Sequence, residues 1–234
     1  MHPQLIALLA LALGPLLLLL GLRPEALPWL AWGAGLWALA LLAKLLLLGP
    51  LYVLIEPRLK NQLLAAGLWG LCSALAELGL TAWLLLAQPS QDRVGLAIWL
   101  GLGTGIIEIV YLLGLEAWQQ SKENRAEPKP VDDAFVAWSG VLERSYTLVG
   151  HVCSRGLLAL GLQRLWLLPL ALGLFSCVDG FATYTQLKGW DFAEPATARR
   201  FQLAMTLVSL LEALIFVLAG GQELIFAISH RPRL

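Results

Sequence analysis

Charge is what this sequence lacks. Only 14% of its 234 residues are Asp, Glu, Lys or Arg, against about 25% in soluble domains, which points to a polytopic membrane protein. The charge that is present balances, with 16 basic and 16 acidic residues, so no strongly acidic or basic polymer is implied as a partner. An arginine-rich tract is absent as well, which argues against nucleic acid. Cysteine is scarce: Cys72, Cys153 and Cys177 fall inside apolar segments at no metal-knuckle spacing. A disulfide framework is therefore not expected, and they read as small core residues. Of the three histidines, His2 and His230 are terminal, which leaves His151 alone inside the apolar part of the chain.

What the sequence has in abundance is apolar length. It is 59% hydrophobic, with a mean hydropathy of +0.74. A helix needs about 20 mostly apolar residues to cross a bilayer, because its backbone polar groups must be satisfied within the segment. About seven segments qualify, roughly 4–22, 28–55, 61–87, 93–118, 135–162, 165–187 and 201–228. The expected fold is all-α: a polytopic transmembrane helix bundle of about seven spans, forming one integral membrane domain over residues 1–234.

Turn signals separate the segments, and the longest connection, 119–133, is too polar to be a span. The first segment lacks a basic leading region and a small-residue cleavage site, so it reads as a helix rather than a signal peptide. Several segments exceed the bilayer thickness, which requires tilt or kinks, and Pro50 and Pro169 are the kink or boundary candidates. Trp29, Trp32, Trp118, Trp138, Trp166 and Trp190 lie near segment ends, as interfacial anchors do. With seven spans, the Lys and Arg distribution favours an inside N-terminus. No internal repeat or low-complexity tract is present.

Against this background the ionisable residues within segments stand out: Lys44, Glu77, Glu108, Glu116, Glu143, Arg144, His151, Arg155, Asp179, Glu212 and Glu223. Each costs at least ~2.5–3.5 kcal/mol at a span centre, so such groups face the protein interior and have a task. Glu116, Arg155 and Glu223 lie near enough to segment ends for wetting or snorkelling. In V-L-E-R-S-Y-T-L-V-G-H-V-C-S-R-G, residues 141–156, Arg144, His151 and Arg155 fall within about 20° of one helical stripe, while Glu143 sits about 80° from His151. A stripe of two guanidinium groups and an imidazole must meet carboxylates, and Glu77, Glu108, Asp179 and Glu212 supply them from four other segments. A buried polar cluster joining several helices follows, with Glu143, Arg144 and Arg155 as its framework. Which pairs form stays open.

Each of these residues has a plain and a functional reading. His151 is either a hydrogen-bonded core histidine or a metal ligand. Glu143 and Arg144 form a packing ion pair or take part in catalysis. Glu77 and Glu108 divide between structural pairing and a ligand or general-base role. Asp179 could simply bond Thr183 one turn on, or mark a break at Gly180. Lys44 and Glu212 read as pairing devices. Gly101 and Gly105 stand in a G-x-x-x-G relation that allows close helix approach, and Glu108 follows one turn later. G-L-G-T-G is no phosphate loop, since no strand precedes it and no Lys-Ser/Thr follows.

These landmarks, in order and spacing from about residue 32 to 218, resemble the YhfC-type intramembrane metalloprotease family, relatives of the CAAX-processing and PrsW-type membrane proteases. The family pattern has a Glu-Glu-rich motif, then G-x-G-H-G-x-x-E, then E-R with a later histidine, and last a His-x-x-x-Asp-like element. A-L-A-E-L-G-L keeps Glu77, with Ala76 where a second glutamate is expected. G-L-G-T-G-I-I-E keeps Gly103, Gly105 and Glu108, with Thr104 at the histidine position. E-R-S-Y-T-L-V-G-H keeps Glu143, Arg144 and His151, and L-F-S-C-V-D keeps Asp179, with Phe175 in place of a histidine.

The resemblance implies a metal site of His151, Glu77, Glu108 and Asp179, zinc if the protein is catalytic, with Glu77 or Glu108 as general base. A catalytic zinc takes three protein ligands and an activated water. The missing histidines leave this set poor in nitrogen, suited to a harder metal or none. Two functions follow. One is a metal-degenerate, non-catalytic membrane subunit that binds another membrane protein, subunit or substrate, through its polar core. The other is an active intramembrane metal-dependent peptidase. A transporter component, with helices broken at Gly180 or Gly220–Gly221, is a third and weaker reading. The lipid bilayer is the surrounding partner, and a bacterial cytoplasmic membrane is the location the family implies.

Overall fold

The structure, a computed structural model, describes residues 7, 26–55, 58–88, 92–123 and 134–229. The expected segment 4–22 lies outside them, apart from the single position 7. Among the described residues there are six helices and no strand. They are α1 (Leu27–Ile55), α2 (Gln62–Ala87), α3 (Arg93–Glu123), α4 (Ala134–Gly161), α5 (Leu167–Leu187) and α6 (Pro195–Ser229). All but α4 contain a stretch long and apolar enough to cross a membrane. The described part of the chain is thus all-helical and that of an integral membrane protein; of the six expected spans that fall among the described residues, five qualify and 135–162 does not.

Local chemistry explains the ends and irregularities. Asn61 caps α2, its side-chain oxygen accepting from the amides of Leu63 at 2.9 Å and Leu64 at 3.3 Å. Pro50 lacks an N–H, and its ring crowds the carbonyl of Leu46. The turn before it, Lys44–Leu48, widens to a π-helical turn in which the amide of Gly49 donates to the carbonyl of Lys44. Pro169 falls in the first turn of α5, where its missing donor costs nothing. Within α6, Gly220 leaves helical geometry at φ −116° and ψ 15°. Gly180, by contrast, stays inside the helical run of α5.

α4, which carries His151 and Arg155, is enclosed over its second half. It packs on α3 and α6 and also touches α5 and α2, and from His151 to Gly161 every residue except Val152 is buried. α2 pairs chiefly with α5, and α1 with α3. Glycine sets several of these distances. A β-carbon on Gly101 would lie 2.5 Å from the carbonyl oxygen of His151, so α3 and α4 meet backbone to backbone there. Gly103, two residues on, faces the opposite neighbour, the backbone of Leu30 on α1.

The outer surface is apolar. Leu45, Leu46 and Leu47 on α1 are 60–70% exposed, and Leu203, Leu207, Leu210, Leu214 and Leu218 on α6 are more than half exposed. Such a continuous apolar exterior is tolerated against acyl chains and not against water. All three cysteines are free thiols; Cys153 is buried and Cys177 exposed.

Candidate functional site: an ionic cluster lining a cavity between the helices

Lys44, Glu77, Glu108, His151 and Asp179 come from five different helices and line one cavity of about 260 Å³. Glu212 of α6 lines it too, so all six described helices contribute. Glu77 is the centre of the cluster. Its side chain is only 3% exposed, and each oxygen meets a cation: Oε1 accepts from Lys44 Nζ at 2.5 Å, and Oε2 from Arg155 Nη2 at 3.1 Å. Lys44 also lies 3.8 Å from Asp179 Oδ2, and the same oxygen accepts a hydrogen bond from Ser73. A buried carboxylate is costly unless it is paired and hydrogen-bonded. Glu77 has both kinds of support.

Arg155 links this pair to the imidazole. It lies one turn beyond His151 on α4, and its Nη1 donates to His151 Nδ1 at 2.8 Å. A guanidinium can only donate, so Nδ1 is assigned as the accepting nitrogen and the ring proton as sitting on Nε2. Nε2–H then donates to Glu108 Oε2 at 2.6 Å. The indole N–H of Trp37 reaches that same oxygen at 3.0 Å. The result is a chain from Lys44 through Glu77, Arg155 and His151 to Glu108 and Trp37.

The other expected participants are placed elsewhere. Arg144 contacts its chain neighbour Glu143 at 3.3 Å, and neither lines the cavity. The side chains of Glu116 and Glu223 lie outside the described residues. Thr104, at the position where the resemblance expects a histidine, is fully buried against α1. Its hydroxyl is shared between the carbonyls of Gly33 at 3.1 Å and Leu100 at 2.9 Å. Phe175, at the other expected histidine position, does line the cavity, with its ring centroid 5.9 Å from that of His151.

Aromatic residues are what reading the charges alone passed over. Trp37, Tyr111 and Tyr146 join Phe175 in the wall. Helical spacing from flagged residues carries the signal for most of them: Trp37 is seven residues before Lys44, Tyr111 three after Glu108, and Phe175 four before Asp179.

As they stand these residues do not fit a zinc centre. Both nitrogens of His151 and both oxygens of Glu77 are engaged by side chains, and two of those side chains are cations. A dication would have to displace Arg155 or Lys44 or sit beside it. Among the described residues, no group of three or more His, Cys, Asp and Glu is arranged to hold a metal ion. No protein-family model, curated protein or solved structure matches the chain.

Proposed function

We propose that this is an integral membrane protein of intramembrane-metalloprotease-like architecture in which fixed ammonium and guanidinium groups replace the metal, and that it works as a non-catalytic binding subunit. The observation that carries the reading is Glu77, held between Lys44 and Arg155 where a ligand or general base would need a free oxygen. The order of Glu77, Glu108, Glu143–Arg144, His151 and Asp179 along the chain supports the architectural part. The aromatic wall of the cavity supports a binding role, since polar groups set in an apolar, concave lining are what ligand sites use.

Metal analysis of the purified full chain tests it, alongside Glu77→Gln, Glu108→Gln and His151→Ala. The expected result is no stoichiometric zinc and thermal stability unchanged by chelator. Zinc at about one per chain, lost in the three variants, would overturn the reading in favour of an active intramembrane peptidase.

A further inference from the structure

The cavity holds more acid than its cations answer. Glu77, Glu108, Asp179 and Glu212 line it, while the ammonium and guanidinium of the cluster, on Lys44 and Arg155, both engage Glu77, and Lys44 lies 3.8 Å from Asp179 as well. Glu212 is the clearest excess. It is 1% exposed, it lines the cavity, and its Oε1 is buried with no hydrogen-bond partner. Arg155 is near enough to act on it electrostatically. Yet the terminal nitrogens of that guanidinium go to His151 and Glu77, and its Nε has no partner either. An unmet buried carboxyl oxygen costs about 1–3 kcal/mol or more, so something must repay it. Glu108 adds to the case, because the bonds from Trp37 and His151 both fall on Oε2.

We propose that this cavity binds a small organic cation, an ammonium group on a short apolar body, with the ammonium donating to Glu212 and Glu108 and the body lying against Trp37, Tyr111 and Phe175. The inference rests on the non-metal reading above and names the ligand class of that same site. The wall decides the class. Aromatic faces attract a weakly hydrated organic cation, whereas an alkali or alkaline-earth ion needs a shell of about six oxygens, and Trp37 and Phe175 supply none. A volume of about 260 Å³ is just below the 300–1,000 Å³ usual for ligand pockets, which limits the guest to a few heavy atoms. An anion is disfavoured by the carboxyl groups themselves.

The test uses the full chain in a neutral detergent, titrated calorimetrically with n-butylammonium, n-butanol, butyrate and potassium. Butylammonium is expected to bind saturably and the other three not. Glu212→Gln should weaken binding about tenfold or more. Gly150→Leu is the second variant, because a β-carbon there meets nothing nearer than Glu212 Oε2 at 3.7 Å. It should fill the cavity and abolish binding while the protein stays folded. Equal binding of butanol, preference for potassium, or wild-type affinity in both variants would overturn the inference. No response to butylammonium up to about 10 mM, in protein free of zinc, sinks this inference alone. Stoichiometric zinc sinks the reading beneath it.

Discussion

Arg155 donates to His151 Nδ1 across 2.8 Å, one helical turn away on the same helix. That single contact orders the site. It fixes the imidazole in the tautomer whose Nε2–H reaches Glu108, and it leaves the other arm of the guanidinium for Glu77. The histidine that a metal would need is thereby held as a bridge between a cation and a carboxylate.

If Arg155 anchors Glu77, removing it leaves Oε2 unmet and the buried carboxylate on Lys44 alone. Arg155→Met is expected to destabilise the protein by about 1–3 kcal/mol, and adding Glu77→Gln should recover part of the loss, since it also takes from Lys44 its partner. Reversible unfolding in mixed micelles measures both. A silent Arg155→Met would mean the pair is not formed.

Lys44 holds the other oxygen of Glu77, but its side chain is 19% exposed against 1% for Arg155. Partial exposure weakens an ion pair and lowers the cost of losing one partner. Lys44→Met is therefore expected to cost clearly less than Arg155→Met in the same assay. The reverse ranking would place the anchor on α1.

Glycine contacts give a matched pair. Gly101→Ala drives a methyl into the His151 carbonyl and should cost about 1–3 kcal/mol. Gly79, on α2, has open space where a β-carbon would go. Gly79→Ala should be neutral or gain about 0.5–1 kcal/mol from helix propensity. Thermal unfolding of the two variants side by side checks the α3–α4 approach, and equal effects would refute it.

The apolar exterior makes its own prediction. Leu46 is 69% exposed on α1, so Leu46→Asp places a carboxylate among acyl chains at about 2.5–3.5 kcal/mol. Less protein in the membrane fraction is expected, with Leu46→Ile unaffected. A soluble protein would tolerate or favour the aspartate.

The helices were legible because their causes are local. Apolar length, the turn signals between segments, and Pro50 and Pro169 as kink or boundary residues all act within a few residues. The stripe on α4 was legible in part: periodicity aligned Arg144 with His151 and Arg155, but Arg144 lies two turns earlier and makes its contact with Glu143. Lys44 read as a pairing device and it does pair, with Glu77, but that it and Trp37 face one cavity showed only once α1 met α2 and α3.

By itself, the sequence determined that this chain is a set of membrane helices carrying charges that lipid cannot host, because hydrophobic length and helical period are properties of each segment alone. Only the tertiary structure decided which charges meet, that Thr104 turns to α1 while Phe175 faces the cavity, and that Glu212 is left with an unmet oxygen. Those outcomes depend on each helix's rotation and axial offset against its neighbours. Backbone contacts such as Gly101 on His151 and Gly103 on Leu30 set both, and those partners lie tens of residues apart in the chain.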